Sequence, residues 1–157
     1  MKRMLVILLL TTLFACGNET TISTLIEPVP DQEMQSSVKG LSLTLSDTVL
    51  YDSPDMIETV VRNDSGFNYT FGGFYHIEMK VDGLWHMVTY SDKVFYENRQ
   101  FEDFGKTLAA GNEVQQLFSV ESLGLTLIPG EYRLVKSFSS QGASFYEISI
   151  AETFWLE

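Results

Sequence analysis

Hydrophobic and polar positions alternate with period two along most of this chain. Leu41-Ser-Leu-Thr-Leu45 alternates cleanly and predicts a first strand. Met56–Arg62 is β-branched and predicts a second, and Phe67-Asn-Tyr-Thr-Phe71 alternates aromatic with polar residues. The organising stretch is residues 74–90, where two strand-like runs flank Asp82-Gly83, a strong hairpin signal. Two registers are open to it. A two-residue loop pairs Val81 with Leu84 and Met79 with His86. A three-residue loop pairs Lys80 with Leu84 and Met79 with Trp85. The second is expected, because it gathers Ile77, Met79, Trp85 and Met87 on one face and leaves His76, Glu78, Lys80, Leu84, His86 and Val88 on the other.

Beyond the hairpin the pattern loosens. Residues 91–106 are irregular, and Tyr96–Phe104 reads as a loop or a short helix. Val114–Val120 and Glu131–Lys136 read as strands, the latter entered through Ile128-Pro129-Gly130. Residues 144–156 form one long strand or two short ones. Short strands at regular spacing, with no convincing helix and no internal repeat, predict an all-β fold, an antiparallel sandwich of about 7–9 strands. A closed barrel is the alternative.

The first residues follow another logic. Lys2 and Arg3 precede an apolar run from Leu5 to Phe14, shorter than the ~20 residues that span a bilayer. The run fits the apolar region of a signal peptide. Leu13-Phe-Ala-Cys16-Gly17 resembles a bacterial lipobox, with the bulky Phe14 a departure from the usual pattern. The resemblance implies cleavage after Ala15 and a lipid on Cys16, the only cysteine in the chain. The expected organisation is a lipoprotein signal peptide at 1–15, the lipidated Cys16 and a flexible linker over 16–38, and a domain at 39–157. The Pro28-Val-Pro30 pair supports the linker reading, because proline blocks regular pairing.

The whole chain carries −11. Losing Lys2 and Arg3 with the signal peptide leaves 8 basic and 21 acidic side chains, or −13. That charge argues against nucleic acid and against electrostatic docking on anionic lipid, and favours a basic or cationic partner. With Cys16 lipidated no disulfide can form, so a core drawn from the 11 Phe (all but Phe14 beyond the signal peptide), 7 Tyr and 2 Trp must hold the fold.

Four motifs then occur in order: Arg62-Asn-Asp-Ser65, Tyr69-Thr-Phe-Gly72, Ile77-Glu-Met-Lys-Val-Asp-Gly-Leu-Trp85 and Leu127-Ile-Pro-Gly-Glu-Tyr-Arg133. Together they resemble a bacterial immunoglobulin-like domain family found in surface lipoproteins. The resemblance covers about residues 39–157. It implies an Ig-like sandwich outside the cell, without catalytic residues, with Trp85 as the core tryptophan and Tyr132 as a tyrosine corner.

Three groups of side chains are candidates for chemistry. In the expected register His76, Glu78 and His86 share a face. They are ligand types for zinc or copper, against the simpler reading of a solvated Glu–His pair. Asp47, Asp52 and Asp55 offer hard oxygens in one loop, although the spacing matches no EF-hand. Tyr90, Phe95, Tyr96, Phe101 and Phe104 cluster in and beside the irregular segment, with Phe95, Tyr96 and Phe101 singled out, either as a recognition surface or as a plug at one end of the sandwich. No nucleophile elbow, phosphate loop or His-Glu-x-x-His helix is present. The expected function is a non-enzymatic binding, adhesion or structural module. It would be anchored to the cell membrane or outer membrane, need no cofactor, and meet a protein or glycan partner at the cell surface. An inhibitor or regulator of an extracytoplasmic enzyme, or a metal-binding accessory protein, is the alternative.

Overall fold

The computed structural model describes residues 22–98, 101, 105–142 and 144–157. Cys16 and the expected signal peptide lie outside them. The elements are β1 (Ser37–Val38), β2 (Leu41–Leu45), β3 (Val49–Leu50), β4 (Met56–Asn63), β5 (Tyr69–Phe71), β6 (His76–Val81), β7 (Leu84–Met87), α1 (Lys93–Glu97), β8 (Lys106–Leu108), β9 (Glu113–Ser119), β10 (Gly130–Ser140) and β11 (Glu147–Leu156). One sheet runs β1-β2-β4-β9. The other runs β3-β11-β10-β5-β8, with β6 and β7 extending from β10. The sandwich expected from the alternation is therefore present. Its strands pair antiparallel except for β3, which pairs parallel to β11.

The facing surfaces form two apolar clusters. One gathers Ile57, Ile77, Phe118, Tyr132, Leu134 and Phe154. The other gathers Leu43, Val61, Phe71, Phe138, Ile148 and Ile150. Strand alternation puts Thr59, Gln116, Lys136 and Glu152 at the level between them, a polar belt across the core. Thr59 donates to the Gln116 carbonyl (3.2 Å). Lys136 is 1% exposed, and its Nζ donates to the carbonyls of Gly72 (2.5 Å) and Phe74 (2.7 Å). The ammonium lies 5.6 Å from the Phe71 ring and 5.4 Å from the Phe118 ring, so it touches both sheets. The tyrosine corner is present: the Tyr132 hydroxyl donates to the Ile128 carbonyl (2.6 Å) and accepts from its N–H (3.2 Å).

The hairpin register differs from expectation. Val81 pairs with Leu84, Lys80 with Trp85, Met79 with His86 and Glu78 with Met87. Asp82 (φ +51°) and Gly83 (φ +84°) are both left-handed, as a two-residue type I′ turn requires, and that turn matches the twist of the strands. The expected register assumed that the charged face is solvated, and here it is not. Glu78 is 2% exposed and Arg133, beside it on β10, is 1% exposed; they form an ion pair at 2.5 Å. Trp85 shares this outer face and lies over the guanidinium at 4.8 Å. It is buried outside the sandwich, not within its core, which corrects the expectation drawn from the resemblance.

What covers this face is the segment expected to be a flexible linker. Ser23 and Thr24 pair with Thr89 and Val88, and the N–H groups of Leu25 and Val29 donate to Met87 and Trp85 of β7 (both 2.9 Å). The Gln32 side chain accepts from the Trp85 N–H (2.8 Å) and donates to its carbonyl (3.1 Å), imitating a strand neighbour. The Asp31 carbonyl accepts from Arg133 Nη2 (2.5 Å), and the Gln35 carbonyl accepts from Ala151 N–H on β11 (3.0 Å). Residues 22–36 thus form a strap from the β7 edge across β6 and β10 to β11. The prolines exclude a continuous strand, and the partners compensate through side-chain and carbonyl contacts that no local pattern announces.

Two predictions follow from these buried charges. Arg133→Met, which strands Glu78, is expected to destabilise the fold by about 3–5 kcal/mol in urea unfolding. The double variant Glu78→Leu/Arg133→Met recovers a large part of that loss. Burial, reinforced by the charge of Lys106, pushes the Lys136 ammonium down to about 7 from its ordinary 10.5. Between those values the unfolded chain binds the extra proton, so stability is lowest below pH 7 and rises toward pH 10. Above 10 the tyrosines Tyr75, Tyr90 and Tyr132, whose ionisation burial pushes up, reverse the slope. Urea midpoints measured across pH 6–10 check this: the rise should be present in the parent and flattened in Lys136→Met.

Candidate functional site

The irregular segment 91–106 contains α1, which overlaps the stretch 96–104 expected as a loop or short helix only at Tyr96 and Glu97; residues 99–100 and 102–104 of that stretch lie outside the described residues. Val94 is the residue of the helix that reaches the core, and Asn98 closes it by donating its side-chain amide to the carbonyls of Val94 (3.0 Å) and Ser122 (2.9 Å). Phe95 and Tyr96 are consequently left on the outside, at 39% and 85% exposure. Across from the helix, the Gly72-Gly73 bend delivers Phe74, 37% exposed, into the same group. Lys136 fixes that bend by holding the carbonyls on either side of Gly73.

The rings form a continuous cluster. Phe74 lies 5.6 Å from Phe95 and 6.3 Å from Phe101; Phe95 lies 6.0 Å from Phe101 and 6.0 Å from Tyr90. Phe101 is only 4% exposed and packs edge-on against Tyr75 at 6.0 Å. Of the three aromatics singled out as a contact surface, the structure joins Phe95 and Phe101, but Phe101 is the floor. The exposed rim of the cluster is Phe74 and Phe95; Tyr96, next to Phe95 on α1, is exposed without a ring contact to them among the described residues. Phe74 was missed because it is remote in sequence from α1, and only the glycine bend brings it there. The arrangement offers ring faces and edges over a buried base, which suits contact with another surface.

The expected His76, Glu78 and His86 set is not brought together. Cross-strand neighbours share a face, so His86, opposite Met79, points to the other side of the sheet from Glu78. Its Nδ1 is bonded to the Leu25 carbonyl (2.9 Å). His76 Nε2 does meet Glu78 (2.9 Å), but that carboxylate is already committed to Arg133. Asp47, Asp52 and Asp55 are exposed. Asp55 serves through its backbone carbonyl, which accepts from Val120 N–H (2.9 Å) and so ties the loop to the end of β9. Among the described residues no group of three or more His, Cys, Asp and Glu side chains is arranged to hold a metal ion.

Sequence comparison agrees with this picture. Residues 37–154 match the family described as bacterial Ig-like domain. A search of curated proteins finds no match. The matched stretch opens at β1 and closes within β11, so the strap over residues 22–36 precedes it. Ig-like domains are binding or structural modules and typically non-catalytic. By its sandwich, its tyrosine corner and the extent of this match, the chain belongs to the bacterial Ig-like domain family.

Proposed function

We propose that this protein is a lipid-anchored, extracytoplasmic binding module. It contacts a protein or glycan partner through the aromatic rim of Phe74 and Phe95 and the adjacent Tyr96. The observation that carries the reading is the exposure of Phe74 and Phe95 together over the buried Phe101, with Tyr96 exposed next to Phe95 on α1. Large aromatics concentrated at one site, with little conformational freedom to lose, are the usual energetic centres of recognition surfaces.

The anchor reading rests on the lipobox resemblance at Cys16, and the strap gives it a geometric consequence. Five residues, 17–21, separate Cys16 from Ile22, where the described fold begins. Fully extended they reach about 20 Å. The strap enters at Thr89, and Val94 of α1 bonds back to Ser91, two residues further on. The aromatic rim therefore belongs to the end of the domain nearest the anchor. A partner reached this way is itself at the membrane surface. An enzyme held there and regulated by the rim is the same geometry with a different consequence.

Two measurements check the reading. Cys16→Ser is expected to move the protein from the membrane fraction to the soluble extracytoplasmic fraction. In-cell cross-linking of the lipidated form should capture a defined partner. Phe95→Ala/Tyr96→Ala should weaken that capture by more than tenfold, the loss of about 2 kcal/mol typical of an aromatic hot spot. Tyr96→Ala alone should leave stability within about 0.5 kcal/mol. Phe101→Ala should instead destabilise the fold by about 3–5 kcal/mol. Undiminished capture by the double variant would remove the rim from the proposal.

A further inference from the structure

The strap is held differently from the sandwich it crosses. Every residue from 22 to 36 is exposed or half-buried, so hydrogen bonds more than apolar burial keep it in place. Segments with few buried apolar contacts and solvent-exposed hydrogen bonds open locally before the whole fold does. The two halves of the strap differ in turn. Over residues 22–30 the ties to the hairpin are thin. The Thr89 N–H and hydroxyl both donate to the Ser23 carbonyl (2.8 and 3.1 Å), Leu25 N–H donates to Met87 (2.9 Å), and His86 meets the Leu25 carbonyl (2.9 Å). Further on, Pro28 and Pro30 have no N–H to give, and Val29 supplies one bond, to Trp85. Ile22 adds an apolar contact at the margin of the core. Residues 31–36 are instead tied to three strands. The Asp31 carbonyl accepts from Arg133 on β10, the Gln35 carbonyl from Ala151 on β11 (3.0 Å) and the Ser36 carbonyl from Leu43 on β2 (2.8 Å).

Gln32 stands at the boundary. Its side chain accepts from the Trp85 N–H (2.8 Å) and donates to the Trp85 carbonyl (3.1 Å), the same carbonyl that takes the Val29 N–H (2.9 Å). When Val29 leaves, both backbone groups of Trp85 therefore keep a partner. Met87 and Thr89 are already half-buried, so water replaces the strap at their backbone groups. Lifting residues 31–36 is different, because it uncovers Arg133 and Trp85. The direction of load is also set. The strap begins at Thr89, and the neighbouring Tyr90 packs on Phe95 (6.0 Å). Tension between Cys16 and a partner held at Phe95 thus pulls the strap and β7 apart at one end. The bonds open in turn, without being sheared together.

We infer that the strap is a two-stage tether, in which residues 22–30 peel from β7 under load while Gln32 holds residues 31–36 in place. The nine residues released add about 30 Å to the reach from Cys16. The domain then has a short reach and a long one, and a partner engaged close to the membrane can be followed as it moves away. This use rests on the anchor proposed above, whereas the opening itself does not.

The test pulls the unlipidated chain from residue 16 onward between Cys16 and Tyr96→Cys, so that its outcome is independent of whether the cell lipidates Cys16. The expected trace shows a first, reversible extension of about 30 Å before the domain unfolds. Hydrogen exchange is read on the same chain carrying Cys16→Ser. The amides of Leu25, Val29 and Thr89 should exchange at least about tenfold faster than those of Ala151, bonded to Gln35, and Val88, bonded to Ile77. Gln32→Ala should bring Ala151 into the fast group, leave Val88 unchanged and lengthen the first extension toward about 50 Å. A trace without an extension before unfolding overturns the inference. So does a first extension of about 50 Å in the parent chain, or an Ala151 amide that stays protected in Gln32→Ala.

Discussion

The ion pair between Glu78 and Arg133 constrains the rest of this structure. Both side chains are almost completely buried, and they lie on the outer face of a sheet, where solvent would normally be. A desolvated pair is tolerable only when its geometry is close and its remaining donors are satisfied. Arg133 meets that condition through Glu78, the Asp31 carbonyl and the face of Trp85. All three lie on elements other than β10: Glu78 on β6, Asp31 in the strap and Trp85 on β7. The hairpin register, which puts Trp85 beside Lys80 and next to the guanidinium, and the strap, which brings Asp31, are therefore energetically one unit. Moving the hairpin by one position would put Trp85 on the other face and leave the arginine without its cover.

Inside the sandwich a second charge has a comparable role. Lys136 sits between the two apolar clusters and ties the Gly72–Phe74 bend to the core while touching rings from both sheets. Its ammonium is held by carbonyl and aromatic groups, without a carboxylate among its hydrogen-bond acceptors in the described residues. This is why burial weakens its hold on the proton. The same clamp sets the position of Phe74, so the shape of the aromatic rim is linked to a polar contact in the core.

These two charges divide the labour of the molecule. The outer one closes a sheet face and fixes the N-terminal strap, which leaves only a short reach between the fold and Cys16. The inner one supports the aromatic end on that same side. The third polar feature, the orphaned Gln116 oxygen, lies where the belt meets the open β9 edge. The Ig-like sandwich thus presents an exposed aromatic cluster at one end and, among the described residues, an unpaired buried acceptor beside the β9 edge.

Local pattern was enough for the strands, because alternation reports burial directly and Leu41–Leu45 and Met56–Asn63 each bury one face. Family motifs carried the sandwich and the tyrosine corner, since Ile128-Pro-Gly-Glu-Tyr132 contains both partners of that hydrogen bond. The candidate rim was half legible. Phe95 and Tyr96 are neighbours on a short helix, whereas Phe74 joins them only through a bend. The sequence by itself thus determined the element types, the fold class, and the charge and chemistry of the exposed groups. Tertiary structure alone decided the hairpin register, the burial of Trp85, the strap and the failure of His76, Glu78 and His86 to converge. The physical reason is the same in each case. A charged face reads as solvated until a residue 55 positions away neutralises it, and a proline-rich segment reads as free until a distant sheet supplies its hydrogen bonds.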